Sequence, residues 1–131
     1  MKSPEQELFD YVGAWSTDIG YDTYDHLPME SENVPYPFVV IGDVDTVPSA
    51  NKSSIDAKIN LTVNVWGDAE ERLVVDQMTS RFLLLAAKNF ETEDYHYCGV
   101  LKASNSQLIQ DTSVPNTILN HGIVQLQFRL I

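Results

Sequence analysis

Ile55-Asp56-Ala57-Lys58-Ile59-Asn60-Leu61-Thr62-Val63-Asn64-Val65-Trp66-Gly67-Asp68 opens the stretch 55–88, on which the reading of the fold turns. Apolar Ile55, Ala57, Ile59, Leu61, Val63 and Val65 alternate with polar Asp56, Lys58, Asn60, Thr62 and Asn64. Successive side chains of an extended chain point to opposite faces, so the alternation predicts a strand with one buried face. Trp66-Gly67-Asp68 stops it. Asp68 with Glu71 three residues on has the spacing of a capping box, which predicts a helix start at that point. Val74, Val75, Met78, Phe82, Leu85 and Ala86 then recur at helical steps. A half-buried strand feeding a helix that lies on its apolar face is the core of an α+β unit.

Working outward, Ser3-Pro4-Glu5-Gln6 reads as a helix start, with Ser3 as cap, Pro4 at the first helical position and Gln6 able to reach back. Leu8, Phe9, Val12 and Trp15 supply its stripe and Gly20 its end. Residues 21–27 alternate weakly, as a short edge strand would. Residues 28–37 hold Pro28, Pro35 and Pro37 with Glu30 and Glu32 and read as an exposed arm. Phe38-Val39-Val40-Ile41, bounded by Pro37 and Gly42, has the continuous apolar character of a strand buried on both faces. Residues 43–54 read as a polar connection, the tip of a long antiparallel hairpin. Beyond the central helix, 89–94 is a polar segment and 95–103 a strand with a possible bulge at Gly99. Asn105-Ser106 reads as a turn, Leu108-Ile109 as the start of a short strand, and 111–116 as a loop. Val124, Leu126, Phe128 and Leu130 alternate with Gln125, Gln127 and Arg129, which predicts a last strand. The sum is a single α+β domain spanning 1–131. Its expected core is a mostly antiparallel sheet of about four to six strands, with an N-terminal and a central helix packed on one face.

Composition narrows the function classes. With 44% hydrophobic and 10% aromatic residues the chain is not a disordered one. No apolar run approaches the roughly 20 residues that cross a bilayer, and the N-terminus lacks the apolar core of a signal peptide. Cys98 is the single cysteine, which excludes an internal disulfide and suits a reducing compartment. The net charge is −11 and lopsided: residues 1–56 carry eleven acids and two bases, residues 57–131 eight acids and six bases. So acidic a body does not hold nucleic acid through phosphates or sit on anionic membranes. The charge serves solubility, or it keeps a surface close to DNA without sticking to it.

The reactive side chains are few. His96 and Cys98 share a strand face and would be a Cys–His nucleophile or half a metal site. The spacing is no zinc motif, no second cysteine completes one, and no helix N-terminus follows to lower the thiol pKa. Asn120-His121-Gly122 reads as a turn. His26 reads as a solvated loop residue. Asp22, Asp25, Glu30 and Glu32, and separately Asp43 and Asp45, do not follow the offsets of a calcium loop. Phosphate loops, dinucleotide fingerprints and nucleophile elbows are all missing from the sequence. No cofactor, metal or catalytic residue is assigned, and the expectation is that the chain is not an enzyme. The different-class alternative is a small cytosolic enzyme or ligand-binding domain using Cys98, His96 or His121. A third is an adaptor that binds one protein through the acidic N-terminal half.

Three segments in order carry a resemblance. They are Tyr36-Pro37-Phe38-Val39-Val40-Ile41-Gly42, the strand ending in Trp66-Gly67, and Leu119-Asn120-His121-Gly122-Ile123-Val124-Gln125-Leu126-Gln127-Phe128. Together with the N-terminal helix they resemble the tail-completion, or tail-terminator, proteins of long-tailed (siphovirus-type) bacteriophages and prophages. The resemblance implies a protomer that closes into a ring, usually of six, on the head-proximal end of the tail tube, with a monomer in solution as the alternative before it reaches the tube. Such a ring stops tube polymerisation and presents a face to the head connector, while DNA passes through without specific binding. It implies a location in the virion tail, and in the host cytoplasm during assembly. A close variant is a head–tail connector or stopper. Six copies of −11 gather −66, so salt should help and the interfaces must be apolar or strand-paired. By position, Pro28, Met29, Val34, Pro35 and Tyr36 of the arm, and Asp43, Asp45, Val47 and Lys52 of the polar connection, are the expected subunit or tube contacts.

Overall fold

The computed structural model describes residues 1–48 and 57–131. Helix α1 (Pro4–Asp18) leads to a two-residue strand, β1 (Thr23–Tyr24), and a 3-10 turn (Glu30–Glu32). Long strands β2 (Phe38–Pro48) and β3 (Ala57–Gly67) follow, then helix α2 (Arg72–Leu83), which tightens into a 3-10 turn (Leu84–Ala87). The chain ends with β4 (Asn89–Glu91), β5 (His96–Gly99), a 3-10 turn (Leu101–Ala103), β6 (Asn105–Asp111) and β7 (Leu119–Leu130). The seven strands form one sheet in the order β1-β2-β3-β7-β5-β4, with β6 beside the first part of β7. Among the described residues only β1 and β2 run parallel. The expected α+β class holds, with one strand more than expected.

The alternation in β3 sorts its two faces as predicted. Ile59, Leu61, Val63 and Val65 are wholly buried, and their partners on β7 include Phe128, Leu126 and Val124. Val75, Met78 and Phe82 of α2 and Leu8 and Val12 of α1 cover the same face. Trp15 meets Phe82 edge-on at 5.1 Å, which joins the two helices. Each such side chain, fully buried, contributes about 1.5–3 kcal/mol of transfer free energy.

The N-terminus is tied down by polar contacts. Ser3 caps α1 by accepting the Gln6 N–H at 3.1 Å, as expected. The Gln6 side chain does not reach back; it donates to Asp10 at 2.9 Å. Tyr97, buried in β5, donates its hydroxyl to the Pro4 carbonyl at 2.6 Å, and burial pushes this phenol up to about 12. Glu7 accepts the Asp94 N–H at 3.1 Å. A hydrogen bond from Thr92 is the main cause holding the Glu7 carboxyl low, while Glu7 in turn pushes Asp94 up.

Several boundaries differ from those expected. The Asp68 N–H does bond the Glu71 carboxylate at 2.9 Å, but these residues close a turn, and α2 begins only at Arg72. Val74 faces outward, and Thr79 is buried beside Val75 and Met78, with its hydroxyl donating to the Val75 carbonyl. The expected 43–54 connection is strand as far as Pro48, because β2 keeps pairing with β3 beyond Gly42. Pairing passes from Ile41–Val63 to Val44–Leu61, so Gly42 and Asp43 together oppose Thr62 in a β-bulge. A Cβ on Gly42 would lie 2.9 Å from the Thr62 carbonyl oxygen.

The polar segment 89–94 contains β4, paired with β5. The strand expected over 95–103 ends at Gly99. No bulge sits there; the Ala86 backbone approaches so closely that a Cβ would collide with its carbonyl. Asn105 and Ser106 do not turn the chain but begin β6, and 120–122 are not a turn but lie within β7. In both, ladder pairing with β7 or β3 outweighs local turn preference.

Candidate assembly surfaces

The helices cover one face of the sheet and leave the other open. Asn60, Thr62 and Asn64 of β3 point to this open face, opposite Gln127, Gln125 and Ile123 of β7. Their side chains bond across strands instead of along them. The Gln127 amide donates to Asn60 at 3.0 Å, and the Asn60 amide donates to Asp45 of β2 at 2.8 Å. Asn105 of β6 donates to Gln125 at 3.2 Å. Nearer the other end, His121 and Asn64 are 2.8 Å apart, and the His121 ring stacks on Trp66 with centroids at 3.7 Å. Burial holds the His121 imidazole below its ordinary value, with Asp111 pulling the other way. Asn60, Thr62, Asn64 and Gln127 are half-buried although no helix lies over them, as on a curled sheet, while Gln125 and Asn105 are exposed.

At the Trp66 end the open face becomes apolar. Leu27, Pro28, Tyr36, Phe38, Trp66, Val114 and Leu119 line most of a groove of about 430 Å³. Tyr36 and Tyr24 both pack on Phe38, with ring centroids at 5.2 and 5.8 Å. Of the expected arm contacts, Pro28 and Tyr36 line this groove, Met29 stands beside them 67% exposed, Pro35 is exposed and Val34 half-buried. The sequence reading passed over Trp66, Val114 and Leu119. Trp66 was legible only as the end of a strand, and the groove's other wall comes from the segment that follows β6, which no local pattern joins to the arm.

The second set of expected contacts lies far from the first. Asp43, Asp45 and Val47 are exposed on the outer half of β2, at the opposite end of the sheet from Trp66. They stand on a strand, not in the loop that their composition suggested. β1 pairs only with Val39 and Val40, so among the described residues the outer edge of β2 beyond them has no strand partner. The outer edge of β6 is equally unpaired among the described residues. Unpaired edges are templates for strand addition. Lys52 lies outside the described residues.

The reactive side chains are dispersed. His96 is exposed, with Nδ1 3.5 Å from the Glu91 carboxylate. The Cys98 thiol is half-buried and faces the Gly99 carbonyl at 3.7 Å. His121 is eight or more residues from either along β7 pairing, on the far part of the strand. His26, as expected of a loop residue, is exposed and bonds Asp25 at 2.7 Å. Among the described residues no group of three His, Cys, Asp or Glu is spaced to hold a metal ion, and no helix is long and apolar enough to cross a membrane.

No protein-family model matches the chain. Its sequence is 33% identical over 97 residues to the tail completion protein gp17 of Bacillus phage SPP1, an alignment that covers 73% of this chain and 69% of that protein.

Proposed function

The chain belongs to the tail completion protein family of long-tailed bacteriophages and has a structural role in phage tail assembly; from that premise we propose that it is the tail terminator. In this reading it closes as a ring of six on the head-proximal end of the tail tube. The ring stops tube polymerisation and presents the surface to which the head connector joins. It acts by geometry, without catalysis or a cofactor, in the virion tail and, during assembly, in the host cytoplasm.

The observation that carries the reading is the similarity to a tail completion protein over most of the chain. The fold supports it in two ways. The unpaired edges of β2 and β6 lie on opposite sides of the sheet, so one copy can offer an edge to each neighbour. Such head-to-tail contacts close into rings. An acidic body whose open face is mostly neutral amides also suits passage of DNA, because few cations are present to grip phosphates.

The test is deletion of the gene from its phage, with electron microscopy of the lysate. Tail tubes of uneven, excessive length that fail to join heads are expected. Normal-length tails that merely lack heads would point instead to a connector or stopper role. A cap of 88.8 kDa, six copies of 14.8 kDa, is the expected mass on the tube.

A further inference from the structure

The far end of the open face, away from the aromatic groove, carries an arrangement that the isolated chain does not explain. Lys58 of β3 and Arg129 of β7 are directly paired across the strands and both are exposed. Directly opposed residues on one face stand about 5 Å apart, where like charges repel. In a chain with nineteen acids and eight bases, two of the bases are thus set side by side. Among the described residues neither forms an ion pair. The nearest acid on that face of β2, Asp45, is already engaged by Asn60 at 2.8 Å.

The matching charge lies at the other end of the molecule. Residues 18–32 hold five acids and no lysine or arginine. Asp22, Asp25 and Glu32 are exposed on the segment that leads to the β2 end paired with Trp66. From Lys58 to Trp66 along β3 is eight residues, about 27 Å of strand. A basic pair at one end and an acidic arm at the other cannot meet within one copy. Two copies in line bring them together, and the same contact repeats from copy to copy.

We propose that the Lys58–Arg129 pair receives the acidic arm around Asp25 and Glu32 of a second copy of this chain. The contact rests on the ring reading above, with copies joined end to end instead of edge to edge, and gives that ring its polarity: arm of one copy onto the basic corner of the next. DNA phosphate is the poorer occupant, since two cations on a body of −11 do not outweigh the surrounding repulsion. Paired charges at such a rim set partner and register, and mismatched ones exclude.

The experiment is a charge exchange read by sedimentation at fixed ionic strength, with thermal melts to check folding. One variant carries Lys58→Glu and Arg129→Glu; the other carries Asp25→Lys and Glu32→Lys. Each alone repels its own kind, and self-association should weaken by about tenfold or more. Mixed in equal amounts they should associate again, in alternation, which a misfolded variant cannot do. If both variants associate as the unmodified chain does, the contact is wrong and the ring reading stands. If the unmodified chain does not associate at any concentration, this attraction is overturned, and the ring is left to the tube-length test. If Lys58→Glu/Arg129→Glu instead releases the chain from duplex DNA with its mass unchanged, the pair is a phosphate contact and the proposal fails.

Discussion

Gln127 and Phe128 are neighbours in the chain and belong to different worlds. Phe128 points to the helix-covered face, fully buried beside Phe90, whose ring meets it edge-on at 5.4 Å. Gln127 points to the open face and donates one hydrogen bond to Asn60. The same contrast runs along β3, where Leu61 is sealed in and Thr62 is not. One face is filled with hydrocarbon that stores the stability of the fold. The other is made of groups that satisfy each other and leave capacity for a partner. A sheet needs only one buried face to be stable, so the second is free to be shaped by assembly.

The largest expected effect comes from emptying the covered face. Phe128→Ala should cost about 3–5 kcal/mol in urea-induced unfolding, through lost transfer free energy and the cavity left. Next door, Gln127→Ala should cost about 0.5–1.5 kcal/mol, the worth of one hydrogen bond with a partly wet partner. Equal losses at the two positions would erase the distinction between the faces. The smallest effect sharpens it. His121 is half-buried on Trp66, so its folded value lies below the unfolded value of 6.5. Between those values the unfolded chain binds more protons, so stability is present above pH 6.5 and is lost as pH falls through the folded value. His121→Gln should flatten the melting temperature between about pH 7.5 and 5. A profile unchanged by the substitution would mean that the ring carries no burial penalty there.

The covered face was legible in the sequence because hydrophobic period is a property of the chain alone. Ile59 to Val65 and Val124 to Phe128 announce their strands and the side that is buried. The Ser3-Pro4 helix start was legible for the same reason, a local hydrogen bond made by a local spacing. What was hidden depends on who comes near. Gly99 is glycine because the Ala86 backbone passes over it, and nothing near residue 99 in the sequence says so. Asn120-His121-Gly122 has the composition of a turn, yet its pairing with β3 and β6 draws it into a strand. The acids Asp43 and Asp45 suggested a loop, because an edge strand with one wet side tolerates the residues that loops favour. Of the candidate surfaces, the arm was visible through its prolines. The groove beside it was not, since Trp66 and Leu119 meet only after the sheet has formed.

The extra residue at Gly42–Asp43 shifts the parity of β2 while its pairing with β3 runs on. Before it, even-numbered positions such as Phe38 and Val40 look to the open side; after it, odd-numbered Asp45 and Val47 do. Removing one of the two would leave Val44 opposite Leu61 and Asp45 opposite Asn60, in a regular ladder without the bend. What the extra residue supplies is therefore twist and a bend at that point of the edge strand, and the facing of the residues beyond it follows their partners on β3.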